Sequence, residues 1–219
     1  MWCIAEITPE YRRRMYRLLD LYAEAYDPAY PVVCVDEKSK QLIGETRKPI
    51  PMKPGQPGKY DYEYVRRGTR NIFVAVEPKG GRRTVKVTKT RKKADFARFV
   101  RTLVRNTYPK ATKIRIVLDN LNTHFAGSFY ETFGKEEADA ILSKVVFCYT
   151  PKHASWLNMA EIEINILERE CLGERTGDES RLKQQVNSWT KRRNKEKKQI
   201  VWKFTSQDAD KKLGRHYAP

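Results

Sequence analysis

The chain has 219 residues, with 44 Lys and Arg against 27 Asp and Glu, which gives a net charge of +17. Hydrophobic residues make up 40% of it, enough to build a core, so wholesale disorder is excluded. No window approaches the roughly 18 consecutive apolar residues of a membrane span, and no signal peptide is recognisable. This charge favours an acidic polymer as partner, with nucleic acid as the first expectation and a merely soluble basic protein as the alternative.

The first half of the chain predicts a helix, three strands and a second helix. Thr8 and Pro9 cap a helix over 9–26, and an apolar strand ends at Asp36. Proline, glycine and basic residues predict an exposed, extended connection over 44–69. The remaining elements expected here are strands over 71–76 and 82–90, joined as a hairpin by Gly80-Gly81, and a helix over 94–107.

The second half predicts two further strands and mostly helices. A fourth strand over 114–119 ends in Asp119, and helical sequence broken near Gly134 precedes a fifth strand over 145–149. Helices follow over 157–172 and 179–196. The hairpin requires antiparallel pairing and the strand–helix–strand units require parallel pairing, so a mixed five-stranded sheet covered by helices is expected. We divide the chain into a helical lead-in (1–30), a main domain (31–198) and a basic tail (199–219) in which Trp202 and Phe204 are candidate anchors.

The cysteines indicate a reducing compartment. They are Cys3, Cys34, Cys148 and Cys171. They form no C-x-x-C pair, so a zinc ribbon is not expected, and the three histidines show no metal-ligand spacing among themselves. Two of the thiols lie in apolar runs, where cysteine usually acts as a small hydrophobic residue. A cytoplasmic location fits best.

Two acids stand at the ends of apolar strands, Asp36 and Asp119. A carboxylate there costs desolvation free energy unless it is compensated, and one metal ion would compensate both. Alternatively, each acid simply caps a strand end or starts a turn. Asn120 and His124 add polar groups near the second acid.

An acidic stretch supplies a third signal. Residues 150–180 carry 3 Lys and Arg against 7 Asp and Glu inside this basic chain, and a divalent cation would reverse that local charge. The alternative is an ordinary amphipathic helix with a solvated acidic face. Glu161 and Glu163 flank its apolar stripe on opposite sides, so helical phase does not choose between them.

These three segments resemble the catalytic domain of DDE transposases of the mariner superfamily, in its bacterial insertion-sequence branch (insertion sequence 630 type). The matching segments surround Asp36, Asp119 and the stretch Tyr149–Glu161, with further likeness at 61–71, so that the resemblance covers nearly the whole chain. Its Asn-x-x-Glu pattern assigns the third carboxylate to Glu161. The stretch from Asp119 to Glu161 is longer than in many mariner relatives, and the helix-turn-helix region usual in such transposases is not recognisable.

The resemblance implies a ribonuclease-H-like α/β fold in which Asp36, Asp119 and Glu161 are both catalytic residues and metal ligands. They would hold two Mg²⁺ (or Mn²⁺) ions for in-line cleavage of transposon-end DNA and strand transfer into target DNA, without a covalent intermediate. It also implies a homodimer, a separate or missing recognition region and a place in the bacterial cytoplasm, associated with the nucleoid. Candidate accessory residues are Asn120, His124, His153 and Asn158.

Basic segments around this acidic site are expected to contact phosphates. The candidate DNA contacts are Arg47, Lys48, Arg66, Arg67, Arg70, Lys152, Trp156, Lys191, Arg192 and Arg193. For any single cation the alternative is a solvated surface position, and for Trp156 it is core packing. Three other functions compete: an inactive DNA-binding transposase remnant, a ribonuclease-H-like metal nuclease without strand transfer, and a basic scaffold protein.

Overall fold

A computed structural model describes residues 7–218, so Cys3 and the start of the lead-in lie outside the described residues. A five-stranded sheet with the order β3-β2-β1-β4-β5 forms its centre. The first three strands pair antiparallel, whereas β4 and β5 run parallel to β1. The strands are β1 (Val32–Glu45), β2 (Tyr64–Glu77), β3 (Arg82–Thr88), β4 (Ile114–Leu118) and β5 (Val145–Tyr149). The predicted mixed sheet is confirmed.

Seven α-helices surround the sheet in the part of the chain that is described. They are α1 (Pro9–Ala23), α2 (Lys93–Thr102), α3 (Gly127–Phe133), α4 (Lys135–Leu142), α5 (Ala160–Leu167), α6 (Glu179–Glu196) and α7 (Ser206–Leu213). Thr8 caps α1 as predicted, because its side chain accepts a hydrogen bond from the Tyr11 amide. Gly134, at φ 76°, separates α3 from α4 where the break was expected. Single π-helical turns extend α2 through Thr107 and α5 through Leu172.

The two faces of the sheet bury different helices. On one face, Val33, Val35 and Leu118 pack with the aromatic residues of α2 and α3. On the other, Cys34 and Val117 pack with α1 and the start of α5, and the β2 residues of that face pack with α5 and α6. Since side chains alternate along a strand, Asp36 belongs to the α1/α5 face and Glu37 to the α2/α3 face.

Two sequence expectations are corrected. The connection expected over 44–69 is shorter, because β1 continues through Glu45 and β2 begins at Tyr64, and these ends pair beyond a register shift. Their exposed, basic residues lack the apolar alternation by which a strand is recognised. The tail contains a helix, α7, and its Trp202 and Phe204 pack against the α1 face as anchors.

Candidate active site

Asp36 lies in the middle of β1, opposite Val74 of β2. Its Oδ1 accepts a hydrogen bond from the backbone amide of Glu37 at 2.7 Å. Burial is the main cause that raises the pKa of Asp36, to about 7, and repulsion from Glu37, Asp119 and Glu161 adds to it. This repulsion connects three acids that are far apart in the sequence.

Asp119 follows directly after β4, which runs parallel to β1. Cys34 pairs with Val117, so both strands deliver an acid two residues later, to the same face and the same edge of the sheet. About a third of the Asp119 side chain is exposed, and its Oδ1 faces a ring nitrogen of His124. The two aspartates that sequence reasoning singled out thus lie side by side on neighbouring strands, Asp119 just after β4 and Asp36 inside β1, which does not end at Asp36 as expected.

Glu161 and Glu163, which helical phase left undecided, have opposite environments on α5. The side chain of Glu163 is completely buried and pairs with the guanidinium groups of Arg83 and Arg193, at 2.9–3.3 Å. Glu161 is partly exposed, and the described residues offer it no ion pair. The fold therefore uses Glu163 to attach α5 to β3 and α6, whereas Glu161 has no such structural partner among residues 7–218.

Asn158 fixes the start of α5 against β1. Its side-chain amide donates to the carbonyl of Val35 at 2.9 Å, and its Oδ1 accepts from the backbone amide of Ala160 at 3.1 Å. These partners immediately precede Asp36 and Glu161 in the chain, and Asn158 is fully buried. This accessory candidate thus sets the distance between two acids by bonding to backbone, and does not itself face the site.

His124 joins two carboxylates and was a candidate from sequence; its second partner, Glu37, was missed. Its Nδ1 lies 2.7 Å from Asp119 Oδ1 and its Nε2 lies 2.8 Å from Glu37 Oε1. Burial by itself would lower the pKa of His124, but these two bonds and the attraction of both carboxylates raise it to about 9. The signal that could have found Glu37 is the alternation of side chains along β1. This alternation points residue 37 into the α2/α3 core, where an acid needs a partner.

The other accessory candidates lie at the margin. Asn120 accepts from Arg14 at 3.1 Å and donates to the carbonyl of Thr150, which ties the loop after β4 to α1 and to the end of β5. His153 is exposed at a positive φ of 59° in the loop before α5. Neither residue is held against the three acids by a hydrogen bond among residues 7–218.

The donor set suits a hard divalent cation. Carboxylate oxygens are the ligands that Mg²⁺ prefers, and a cation would relieve the repulsion that the acids exert on Asp36. Within residues 7–218, however, no three His, Cys, Asp or Glu side chains stand close enough to form a finished metal site. Asp36 and Asp119 each use Oδ1 in a bond to the protein, and the described residues donate no hydrogen bond to Oδ2 of either.

Comparison with known proteins places this arrangement in a family. Residues 31–183 match the sequence profile described as "DDE superfamily endonuclease", which covers more than half of the chain. The chain belongs to this family. Comparison with curated proteins found no match.

Solved transposase structures share the fold of this DDE family member. A Mos1 mariner paired end complex with Mn is 17% identical with a TM-score of 0.53, over 90% of this chain and 60% of that one. A mariner Mos1 paired end complex with Mg is 16% identical with a TM-score of 0.59, over 100% and 66%. The Mos1 strand transfer complex is 14% identical with a TM-score of 0.54, over 96% of this chain and 62% of that one. The ribonuclease-H-like fold is thereby confirmed, and the chain spans about two thirds or less of the Mos1 chains.

The basic residues of this DDE family chain fall into exposed and buried groups. The exposed ones among the predicted DNA contacts are Arg47, Lys48, Arg66, Arg67, Lys152, Lys191 and Arg192. Three of the arginines pair with acids near the surface: Arg47 with Asp61 at 3.4 Å, Arg70 with Glu179 at 2.5 Å and Arg192 with Glu170 at 2.9 Å. Arg193 was wrongly included: its side chain is buried against Glu163, because α6 turns that position inward.

Trp156 is partly committed to packing. Its ring stacks on Trp202 at 6.3 Å and meets Phe204 edge-on at 5.6 Å, yet 39% of the residue is exposed. One part of the Trp156 side chain is therefore used in packing, as the alternative expected, and another part stays accessible.

Among residues 7–218, every helix is too short or too polar to span a membrane.

Proposed function

We propose that the chain is the catalytic domain of a mariner-type DDE transposase, which cleaves transposon-end DNA and transfers the cut strand into target DNA. One observation carries the proposal: Asp36 and Asp119 lie on one face of neighbouring strands and near enough to Glu161 for repulsion to raise the pKa of Asp36, while the neighbouring Glu163 is fully neutralised by two arginines. A protein that only needed a folded core would gain nothing from keeping Asp119 and Glu161 near enough to Asp36 to repel its charge.

Asp36, Asp119 and Glu161 would bind two Mg²⁺ or Mn²⁺ ions. When bound, such ions neutralise the charge that develops on the phosphate and activate water or a 3′-hydroxyl for in-line attack. The residues of the chain position the reaction: Asn158 holds β1 to α5, and the Glu163 ion pairs hold α5 to β3 and α6. The exposed cations, such as Arg66 and Lys152, would hold the DNA backbone beside the acids.

Assembly and location follow the same family likeness. We propose that the protein acts as a homodimer in a bacterial cytoplasm, associated with the nucleoid, as a member of the insertion-sequence branch. Recognition of the transposon ends would come from a helix-turn-helix region that precedes this domain or is supplied separately. The Mos1 structures of similar fold are paired end and strand transfer complexes, which supports DNA ends and target DNA as the partners.

The test uses a plasmid that carries the terminal inverted repeats flanking the gene, incubated with the protein and Mn²⁺ or Mg²⁺. We expect metal-dependent cuts at the repeat ends and joined products, both abolished by Asp36→Asn and by Asp119→Asn. Lys110→Ala, an exposed change just before β4, serves as the control and should cleave like wild type. Full activity in either aspartate variant would contradict the proposal.

Product analysis separates the competing functions. Cut ends without joined products would identify a metal nuclease of the same fold. A gel shift of the DNA without any metal-dependent cut would identify a DNA-binding remnant. The converging acids favour an active enzyme over the remnant, because a protein that only binds DNA gains nothing from carboxylates that repel phosphate.

A further inference from the structure

We propose that Glu37 and His124 are positioning residues that hold the two aspartates in place for metal binding. Glu37 bonds to Asp36 through its backbone amide and reaches Asp119 through His124 with its carboxylate. One residue of β1 would thus set the orientation of both aspartates. The inference rests on the proposed function, since it concerns how the same site takes up its cations.

The bridge formed by Glu37, His124 and Asp119 is short and is shielded from water at its centre. The two ring nitrogens of His124 lie within hydrogen-bond distance of a carboxylate on each side, 2.8 Å from Glu37 and 2.7 Å from Asp119. The His124 side chain has no exposed surface and that of Glu37 has 3%. Carboxylates only accept, so the ring N–H groups donate, and a bond made away from water loses little strength to solvent competition.

His124 is itself immobilised. Its ring packs on Phe96 with the ring centres 4.4 Å apart, its carbonyl accepts from the Tyr149 hydroxyl at 2.6 Å, and its amide donates to the Leu121 carbonyl at 2.9 Å. A histidine whose backbone is held at two atoms and whose ring is packed against Phe96 can transmit a fixed position to the carboxylate that it contacts. This is how second-sphere partners orient metal ligands in other proteins.

The bridge crosses the edge of the sheet. Asp36 points to the α1/α5 face and Glu37 to the α2/α3 face, so Glu37 can act only from behind the site. His124 passes around the end of β4 and carries this support to Asp119. As a result both aspartates bond to the protein through Oδ1, and each keeps Oδ2 for a cation on the opposite side.

Stability alone does not explain the arrangement. A buried pair of ionisable groups such as Glu37 and His124 is usually no more stable than well-packed apolar residues of similar volume. Apolar side chains could pack at these positions, because the core on this face, which includes Phe96 and Phe129, is apolar and fully buried. The presence of Glu37 and His124 in this core is explained if they orient the aspartates of the site.

The test measures Mn²⁺ affinity of the free protein by electron paramagnetic resonance, with no DNA and no turnover. In His124→Asn the amide can replace Nδ1 and reach Asp119, whereas in His124→Gln it replaces Nε2 and reaches only Glu37. We expect His124→Gln and Glu37→Gln to weaken Mn²⁺ binding by about 10- to 100-fold. His124→Asn should retain more affinity than His124→Gln.

Folding is monitored by thermal unfolding of the same samples. Phe129→Leu is the control, because it removes buried volume beside Phe96 without touching the bridge; it should lower the melting temperature and leave Mn²⁺ affinity unchanged. If the His124 variants do not fold, Glu37→Gln, which keeps the shape of the side chain, decides. Affinity within twofold of wild type in the folded bridge variants overturns the inference alone, whereas a wild-type protein that neither binds Mn²⁺ nor cleaves DNA overturns the proposed function as well.

Discussion

Two charged clusters adjoin α5, one around Glu161 and one around Glu163, and the fold treats them in opposite ways. Glu163 is buried without any exposed surface, and Arg83 and Arg193 neutralise it from two other elements. Glu161 is partly exposed without an ion-pair partner among the described residues, and together with Asp119 it adds repulsion to the burial that raises the pKa of Asp36. The difference teaches that charge alone does not mark a site: two buried arginines neutralise Glu163, whereas Glu161 has no ion-pair partner among the described residues and stays available to a cation.

The largest effect is expected for Glu161→Gln, which removes one carboxylate from the cluster of Asp36, Asp119 and Glu161. Loss of one carboxylate should reduce strand cleavage by about a thousandfold or more, since metal ions at such sites supply several kcal/mol of transition-state stabilisation. The free energy of unfolding should stay within about 0.5 kcal/mol of wild type, because the side chain is partly exposed and unpaired. Cleavage kinetics and urea unfolding measure the two quantities, and a Glu161→Gln enzyme with wild-type cleavage would break the comparison.

The neutralised cluster should respond in the opposite way. Glu163→Gln leaves two buried guanidinium groups without their carboxylate, so the free energy of unfolding should fall by about 3–5 kcal/mol. Urea unfolding checks this value. A triple variant that replaces Glu163, Arg83 and Arg193 by apolar residues of similar volume is the control and should recover most of the loss. A Glu163→Gln protein as stable as wild type would show that the ion pairs are not what holds α5.

The pH dependence of stability sharpens the comparison at Asp36. Its pKa is about 7 in the fold against an ordinary 3.8, so between these values the folded chain holds a proton that the unfolded chain has released. The contribution of Asp36 to the free energy of unfolding therefore falls as the pH rises from about 4 to about 7. Relative to wild type, Asp36→Asn should gain stability over that window, reaching on the order of 2 kcal/mol above pH 7 after allowance for solvent screening.

Urea unfolding of both proteins from pH 4 to 8, with a chelator present, measures this difference. Asp139→Asn is a suitable control, since Asp139 is exposed on α4 and away from the acids. A difference between Asp36→Asn and wild type that does not change with pH would mean that Asp36 is ionised normally in the fold.

The smallest effect concerns the cations. Arg66 is exposed and pairs with no acid of the described residues, whereas Arg193 is buried against Glu163. Arg66→Ala should weaken DNA binding and reduce the salt dependence of log K by about one unit. A salt titration of fluorescence anisotropy measures the slope, with Lys110→Ala as the matched loss of one positive charge. Equal slopes for wild type and Arg66→Ala would remove Arg66 from the DNA surface.

The sequence was most informative where local patterns decide structure. The Thr8 cap, the break at Gly134 and the apolar strands around Asp36 and Asp119 could all be recognised because each depends on nearby residues. It was least informative in the basic hairpin, where β1 and β2 extend to Glu45 and Tyr64. Those ends lack an apolar face, and their strand character comes from cross-strand pairing that no single segment reveals.

By itself the sequence determined the order of the five strands, the basic charge with its acidic stretch, and the two aspartates as candidates, although the strand expected to end at Asp36 continues through Glu45 and α7 was missed. Only the tertiary structure decided which glutamate of α5 is free, since that depends on Arg83 and Arg193, residues distant in the chain. It also decided that Glu37 supports the site and that Arg193 faces inward. The physical reason is the same in each case: the state of a charged group is fixed by which partners reach it in space, and sequence spacing does not specify those partners.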